Sequence, residues 1–279
     1  MAKLYGDHVD CICPMRPKWN HGNTIEKTQK QSMTNIRICE LSVNFGGLAA
    51  INKMSLEIES GDRHAIIGPN GAGKTTLLKS INGQLSDIKG AVFLGKQEIT
   101  NLPIQSRTKL GVGCTFQRNN LFSDLTVIEN IYIALQKRLG IANHLFRKQS
   151  ILTSMVSESH QLLDKFGLSM VKSRVTDTLS YGQQRVLDLA IAIAMKPKAL
   201  LLDEPTAGMS VLETTNMIQI IEKLPDTVTL VLVEHDMKVV FEIAKHITVL
   251  HNGKIIGQGT PAEIRNNSIV REYYLGNKK

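Results

Sequence analysis

The sequence predicts an α/β fold in which a mainly helical insertion separates the early strands from the late ones. Two observations carry that expectation. Strand-like and helix-like segments alternate along most of the chain, the arrangement that builds a layered sheet. The run Ala199-Leu200-Leu201-Leu202 has no polar face, as a central parallel strand covered on both sides requires.

Residues 1–33 hold Pro14, Pro17, Trp19 and scattered charges without a sustained period, and read as a poorly ordered N-terminal extension. Cys11 and Cys13, with His8 and His21 near them, match no standard zinc spacing. Met33 opens a segment that reads as an ordinary domain start, which makes it a candidate for the true N-terminus. Ile36, Ile38, Leu41 and Val43 then lie near alternation, Gly46-Gly47 make a turn, and a second strand spans residues 50–58. Gly61-Asp62 turn the chain into Ala65-Ile66-Ile67, which ends in a glycine-rich loop and a helix over 75–82. Residues 91–94 and 111–115 are further strands. Residues 127–195 keep mostly helical period, with Leu162, Leu163, Phe166 and Leu168 as a core-facing stripe. Strands at 199–202, 229–233 and 247–250 follow, alternating with helices at 211–224 and 237–244.

With 279 residues, 42% of them hydrophobic and 21% charged, the chain can bury a sizeable core and is not compositionally disordered. Four cysteines, Cys11, Cys13, Cys39 and Cys114, are too few and too irregular for a disulfide scaffold, so a reducing compartment is expected. No apolar run approaches the ~20 residues of a membrane span, and the first ten residues lack a signal-peptide layout. A channel, a secreted toxin and a fibre are thereby set aside. The formal charge is +8, of which residues 137–174 supply +5 through Lys137, Arg138, Arg147, Lys148, Lys165, Lys172 and Arg174 against Glu158 and Asp164. Such a stretch serves as a solvated helix face or meets an anionic partner.

Gly68-Pro69-Asn70-Gly71-Ala72-Gly73-Lys74-Thr75 fits the strand–GxxxxGK[ST]–helix pattern of a phosphate-binding loop. Its glycines let successive backbone N–H groups face phosphate oxygens, and the helix that follows adds the positive end of its dipole. Lys74 is placed to bridge the β- and γ-phosphates of a nucleotide, and Thr75 to offer a hydroxyl to Mg²⁺. The apolar strand at 199–202 runs into Asp203-Glu204. A hard cation prefers oxygen ligands, so Asp203 is the metal candidate. Glu204, one position on, points elsewhere and is the candidate general base for a water in line with the γ-phosphate.

Leu179-Ser180-Tyr181-Gly182-Gln183, just before a helix, resembles the signature motif of ABC-transporter ATPases. With the phosphate loop, Gln117, Asp203-Glu204-Pro205 and His235, the ordered motif set of that family is present, and the resemblance covers about residues 34–276. The finer likeness is to the ATPases of branched-chain amino acid uptake systems and their relatives for urea and short amides. It rests on Thr115-Phe116-Gln117, Leu125-Thr126-Val127-Ile128-Glu129-Asn130, Tyr181-Gly182-Gln183-Gln184, Pro205-Thr206-Ala207-Gly208-Met209-Ser210, Val233-Glu234-His235-Asp236-Met237, and Gly259-Thr260-Pro261 through Tyr274-Leu275-Gly276.

The resemblance implies a P-loop NTPase core of the RecA-like kind, with an N-terminal antiparallel β-subdomain and a helical subdomain at about 118–185, in one ATPase domain over 34–279. It implies ATP and Mg²⁺ as cofactors. Phe45, in the loop between the first strands, resembles the aromatic that stacks on adenine, and Thr76 belongs to the nucleotide-contacting set. Gln117 resembles the glutamine that reaches Mg²⁺ and the attacking water, and His235 the switch histidine at the γ-phosphate. Ser180, Gly182 and Gln183 would act on nucleotide held by a second ATPase subunit, identical or paralogous, packed head to tail. The chain departs from many family members in carrying Met209-Ser210 where they have leucine and aspartate, although a small polar residue is common in the subgroup. The implied setting is the cytoplasmic face of a membrane, on permease subunits served by a solute-binding protein, with no nucleic acid. A soluble ABC ATPase of nucleic acid or ribosomes and a urea or amide transporter are the alternatives. The first is disfavoured by a single cassette without sustained heptads.

Overall fold

The computed structural model describes residues 34–115, 121–141 and 149–270. Strands β1 (Thr34–Phe45) and β2 (Leu48–Glu59) form an antiparallel hairpin. The alternation of β1 slips between Ile38 and Leu41, and the ladder shifts register there, with Glu40 at φ 47°. The extra residue of a bulge returns Leu41 and Val43 to the core face. β3 (Arg63–Ile67) leads through the glycine-rich loop into α1 (Lys74–Asn82). β4 (Lys89–Leu94) and β5 (Gln97–Glu98) complete an antiparallel sheet of order β2-β1-β4-β5.

After α2 (Ile104–Leu110), β6 (Val112–Thr115) joins the second sheet. The helical insertion follows as α3 (Val127–Arg138), α4 (Gln149–Lys165) and α5 (Tyr181–Ala194). β7 (Ala199–Asp203), α6 (Val211–Glu222), β8 (Thr229–Val233), α7 (Met237–Ile243), β9 (His246–His251), β10 (Lys254–Gly259), α8 (Pro261–Asn266) and the short α9 (Ser268–Val270) close the described chain. The second sheet has the order β10-β9-β3-β8-β7-β6, parallel throughout except for β10 on the edge. The fold is therefore the expected P-loop NTPase type. α2, β5, β10, α8 and α9 are additions to the elements expected from sequence, and α5 continues well past residue 185.

Both faces of the parallel sheet are covered. Leu200, Leu202, Leu230 and Leu232 pack against the helical side with Leu163, Phe166 and Leu168, while Ala199, Leu201, Val231 and Val233 pack against α1 and the antiparallel sheet. Two buried faces explain why β7 is apolar up to Asp203 and β8 is apolar from Leu230 onward. Arg138, counted in the basic stretch, is neutralised by Glu158, with Nη1 and Nη2 donating at 2.9 and 2.5 Å, and it also donates to Ala194 O. Arg147 and Lys148 lie outside the described residues, as do the extension 1–33 and its cysteines and histidines.

Candidate functional site

Parallel strands place their carboxyl ends together, and crevices outside those ends are where open α/β sheets bind ligands. The glycine-rich loop follows β3, Asp203-Glu204 end β7, and Glu234-His235 follow β8. These three neighbouring strands open onto one cleft of about 520 Å³, lined by Phe45, Ala50, the loop from Asn70 to Thr76, Glu204, His235 and Asn252 among others. Segments more than a hundred residues apart in sequence thus meet.

The loop is shaped to receive an anion. Gly73 is the N-cap of α1 at φ 102°, and no side chain caps the helix, whose first turn also lacks an acidic residue. Its leading N–H groups and the positive end of its dipole remain available. A Cβ on Gly73 would sit 2.6 Å from Ala50 O, so only glycine allows this approach of loop to β2. The Lys74 ammonium is buried and donates to Gly68 O and Pro69 O at 2.8 and 2.9 Å. Burial pulls its pKa below the ordinary lysine value, against the opposing pull of Glu204 and Asp203.

Facing the loop, His235 Nε2 lies 2.7 Å from Glu204 Oε1. Glu204 has φ 49°, a left-handed conformation costly for a non-glycine residue, and its N–H donates to Val233 O at 2.9 Å. That turn separates the Glu204 side chain from Asp203, which stays at the buried strand end. Asp203 Oδ1 is buried with no hydrogen-bond partner, while the Thr75 hydroxyl bonds to the carboxylate. Desolvation first, and the neighbouring Glu204 charge second, raise the Asp203 pKa above its ordinary value. A buried, underused carboxylate oxygen beside a hydroxyl is the donor set a hard cation takes.

Phe45 lines the mouth of the cleft and is 52% exposed, as the last residue of β1 rather than in the loop after it. Gly68, Pro69 and the lining residues Asn70, Gly71, Ala72, Gly73, Lys74, Thr75 and Thr76 form one continuous cradle. Gln117 lies outside the described residues. Ser180, Gly182 and Gln183 are not among the lining residues; they form the start of α5, where the Ser180 and Gln183 side chains close a capping box.

Two carboxylates escape a sequence reading that looks only for catalytic motifs. Buried Glu234 accepts from Thr206 N and Thr206 Oγ1 at 3.0 and 2.6 Å and from His235 N at 3.1 Å, tying the loop after Glu204 to the histidine. Glu213 reaches both Ser210 and Ser180. The Ser-x-x-Glu spacing at 210–213 announces a helix cap, but nothing local announces the contact with Ser180.

The ABC transporter family model matches residues 51–207, more than half of the chain. The chain belongs to the ABC transporter family. It is 37% identical over 249 residues to the high-affinity branched-chain amino acid transport ATP-binding protein BraF of Pseudomonas aeruginosa, covering 86% of this chain and 97% of that protein. With the corresponding protein LivG of Escherichia coli it shares 37% identity over 243 residues, 85% of this chain and 95% of that protein. Among solved structures, MJ1267, an ATP-binding cassette of an ABC transporter, is similar with a TM-score of 0.75 at 28% identity, over 88% of this chain and all of that one. The ADP conformation of MJ1267 matches with a TM-score of 0.74 at 26% identity and the same coverage. This ABC protein is an ATP-hydrolysing cassette. Among the described residues no helix is long and apolar enough to cross a membrane.

Proposed function

We propose that this ABC ATPase drives uptake of branched-chain amino acids, docked at the cytoplasmic face of the membrane on separate permease subunits that a solute-binding protein supplies. The single observation behind the catalytic part is the Glu204–His235 contact of 2.7 Å across the cleft from Lys74. The solute assignment rests on 37% identity to BraF and LivG along nearly their whole length.

In this reading the phosphate loop and Lys74 hold the β- and γ-phosphates, and Phe45 stacks on adenine. Glu204 accepts the proton of the attacking water. His235 fixes the orientation of that carboxylate and faces the charge that develops on the phosphoryl group. Thr75 and Asp203, with Gln117, would hold Mg²⁺, which when bound neutralises phosphate charge. Ser180 and Gly182 stand outside their own cleft, which supports their acting on the γ-phosphate of a second cassette in a head-to-tail dimer. Loss of that phosphate on hydrolysis would then loosen the dimer and pass work to the permease.

Glu204→Gln is expected to bind ATP and accumulate as a stable dimer with hydrolysis reduced about a hundredfold or more, the scale of a lost general base; Lys74→Ala should bind ATP poorly. Normal turnover by Glu204→Gln would remove Glu204 from its role. Uptake of leucine, and not of urea or short amides, by vesicles carrying the co-purified membrane proteins tests the solute.

A further inference from the structure

Ser180 is the N-cap of helix α5, and the cradle at the helix start is already filled by a carboxylate. Ser180 Oγ donates to Glu213 Oε1 at 3.1 Å. The Gly182 N–H bonds to the same side chain, and a Cβ added to Gly182 would lie 2.4 Å from Glu213 Oε1. The other carboxylate oxygen, Oε2, accepts from Ser210 N at 3.1 Å and Ser210 Oγ at 2.9 Å. Hydrogen bonds from the Ser210 backbone first, then from the Ser210 and Ser180 hydroxyls and the Gly182 N–H, hold the carboxyl below the usual carboxylate range, so it is an anion at neutral pH.

A hydroxyl and a backbone N–H at a helix start, converging on an oxyanion, are the donors a phosphate would use. They are also the donors assigned above to the partner's γ-phosphate. We propose that Glu213 is an internal stand-in for that phosphate, which occupies the signature cradle of a lone chain and must leave Ser180 and Gly182 before a partner's nucleotide can be engaged. The inference rests on the head-to-tail reading and adds a residue to it. Two anions cannot share one pair of donors, so phosphate arrival expels the carboxylate toward Ser210. Ser210 ends the loop that begins at Glu204. Occupancy of one cassette's cradle is thereby passed to the loop that carries the same cassette's own base, through a single side chain. Glu213 is a positioning residue and touches no substrate.

The test compares full-length Glu204→Gln with Glu204→Gln/Glu213→Gln by sedimentation velocity, titrating ATP and Mg²⁺ at low and high salt. Glutamine keeps the cap on α6, since it serves at the same capping-box position, and removes only the charge. The double variant is expected to dimerise at roughly threefold lower ATP or less, the scale of one charge at a helix start. The gap should narrow at high salt as the repulsion is screened, which a merely structural cap would not do. Glu204→Gln/Glu213→Ala should shift dimerisation the same way despite losing the cap, and a nucleotide-free melting scan separates any loss of fold. Equal or weaker dimerisation of the glutamine variant, with the parent dimerising normally, overturns the role of Glu213 alone. Absence of ATP-driven dimers in the parent and both variants overturns the head-to-tail reading itself.

Discussion

Replacing Arg107 removes a buried cation on which two segments of the nucleotide-binding half depend. Arg107 is 1% exposed. Its Nε donates to Leu102 O at 2.8 Å, Nη1 to Ser80 O at 2.6 Å and Ile81 O at 2.8 Å, and Nη2 to Thr100 O at 2.6 Å. Ser80 and Ile81 lie in the last turn of α1, where carbonyls have no helical partner. One guanidinium thus caps the helix that starts at Lys74 and ties it to the chain leaving the antiparallel sheet. Arg107→Ala strands four carbonyls in a site with little room for water. At about 1 kcal/mol of net loss for each, discounted from the higher value for charged donors, the cost is about 4 kcal/mol. At roughly 2–4 °C per kcal/mol for a chain of this size, the melting temperature should fall by roughly 8–16 °C. Arg107→Lys places three donors on one point and cannot span both segments, so about half the loss is expected, ~2 kcal/mol. Urea denaturation followed by far-UV circular dichroism measures both. An alanine variant within about 1 kcal/mol of the parent, or a lysine variant equal to the parent, would refute the reasoning.

Two further outcomes follow from the cleft. Asp203 has its folded pKa raised above the ordinary 3.8, so the folded state carries a penalty for the ionised carboxylate at every pH above that raised value, relieved as pH falls through it. Asp203→Asn should therefore melt at a higher temperature than the parent at pH 7 without nucleotide. The difference should shrink toward pH 4 by calorimetry, while Mg²⁺-dependent hydrolysis is lost; a variant less stable at pH 7 contradicts the burial argument. Gly73→Ala meets Ala50 O at 2.6 Å and a φ of 102°, so ATP affinity should drop about tenfold or more in a fluorescent-nucleotide titration, and unchanged affinity would mean that the loop relaxes freely.

The parts that were legible beforehand share a cause. The phosphate loop, the apolar strand into Asp203-Glu204 and the strand before His235 are short local patterns, each set by backbone freedom or burial within a few residues. Element boundaries in the sheet came close for the same reason, since a strand buried on both faces has no polar position to blur it. α2 was not legible because the only buried side chain it carries is Arg107, which inverts the usual apolar signal. β10 escaped because its six residues include two glycines and none is fully buried. The Gly182 and Ser180 motif was readable as a helix start, but its engagement by Glu213 was not.

What the amino-acid order alone determined is the inventory: a loop for phosphate, acids at a strand end, a histidine after a strand, and a signature before a helix. Each depends on interactions spanning a handful of residues, which a linear reading can follow. The tertiary structure decided convergence. Parallel pairing of β3, β8 and β7 sets Lys74, Glu204 and His235 around one cleft, with Asp203 buried against the lining residue Thr75, and leaves Ser180 outside it, held by a carboxylate 33 residues away. Contacts between segments so far apart depend on strand order and packing, and neither is written in any local stretch of the chain.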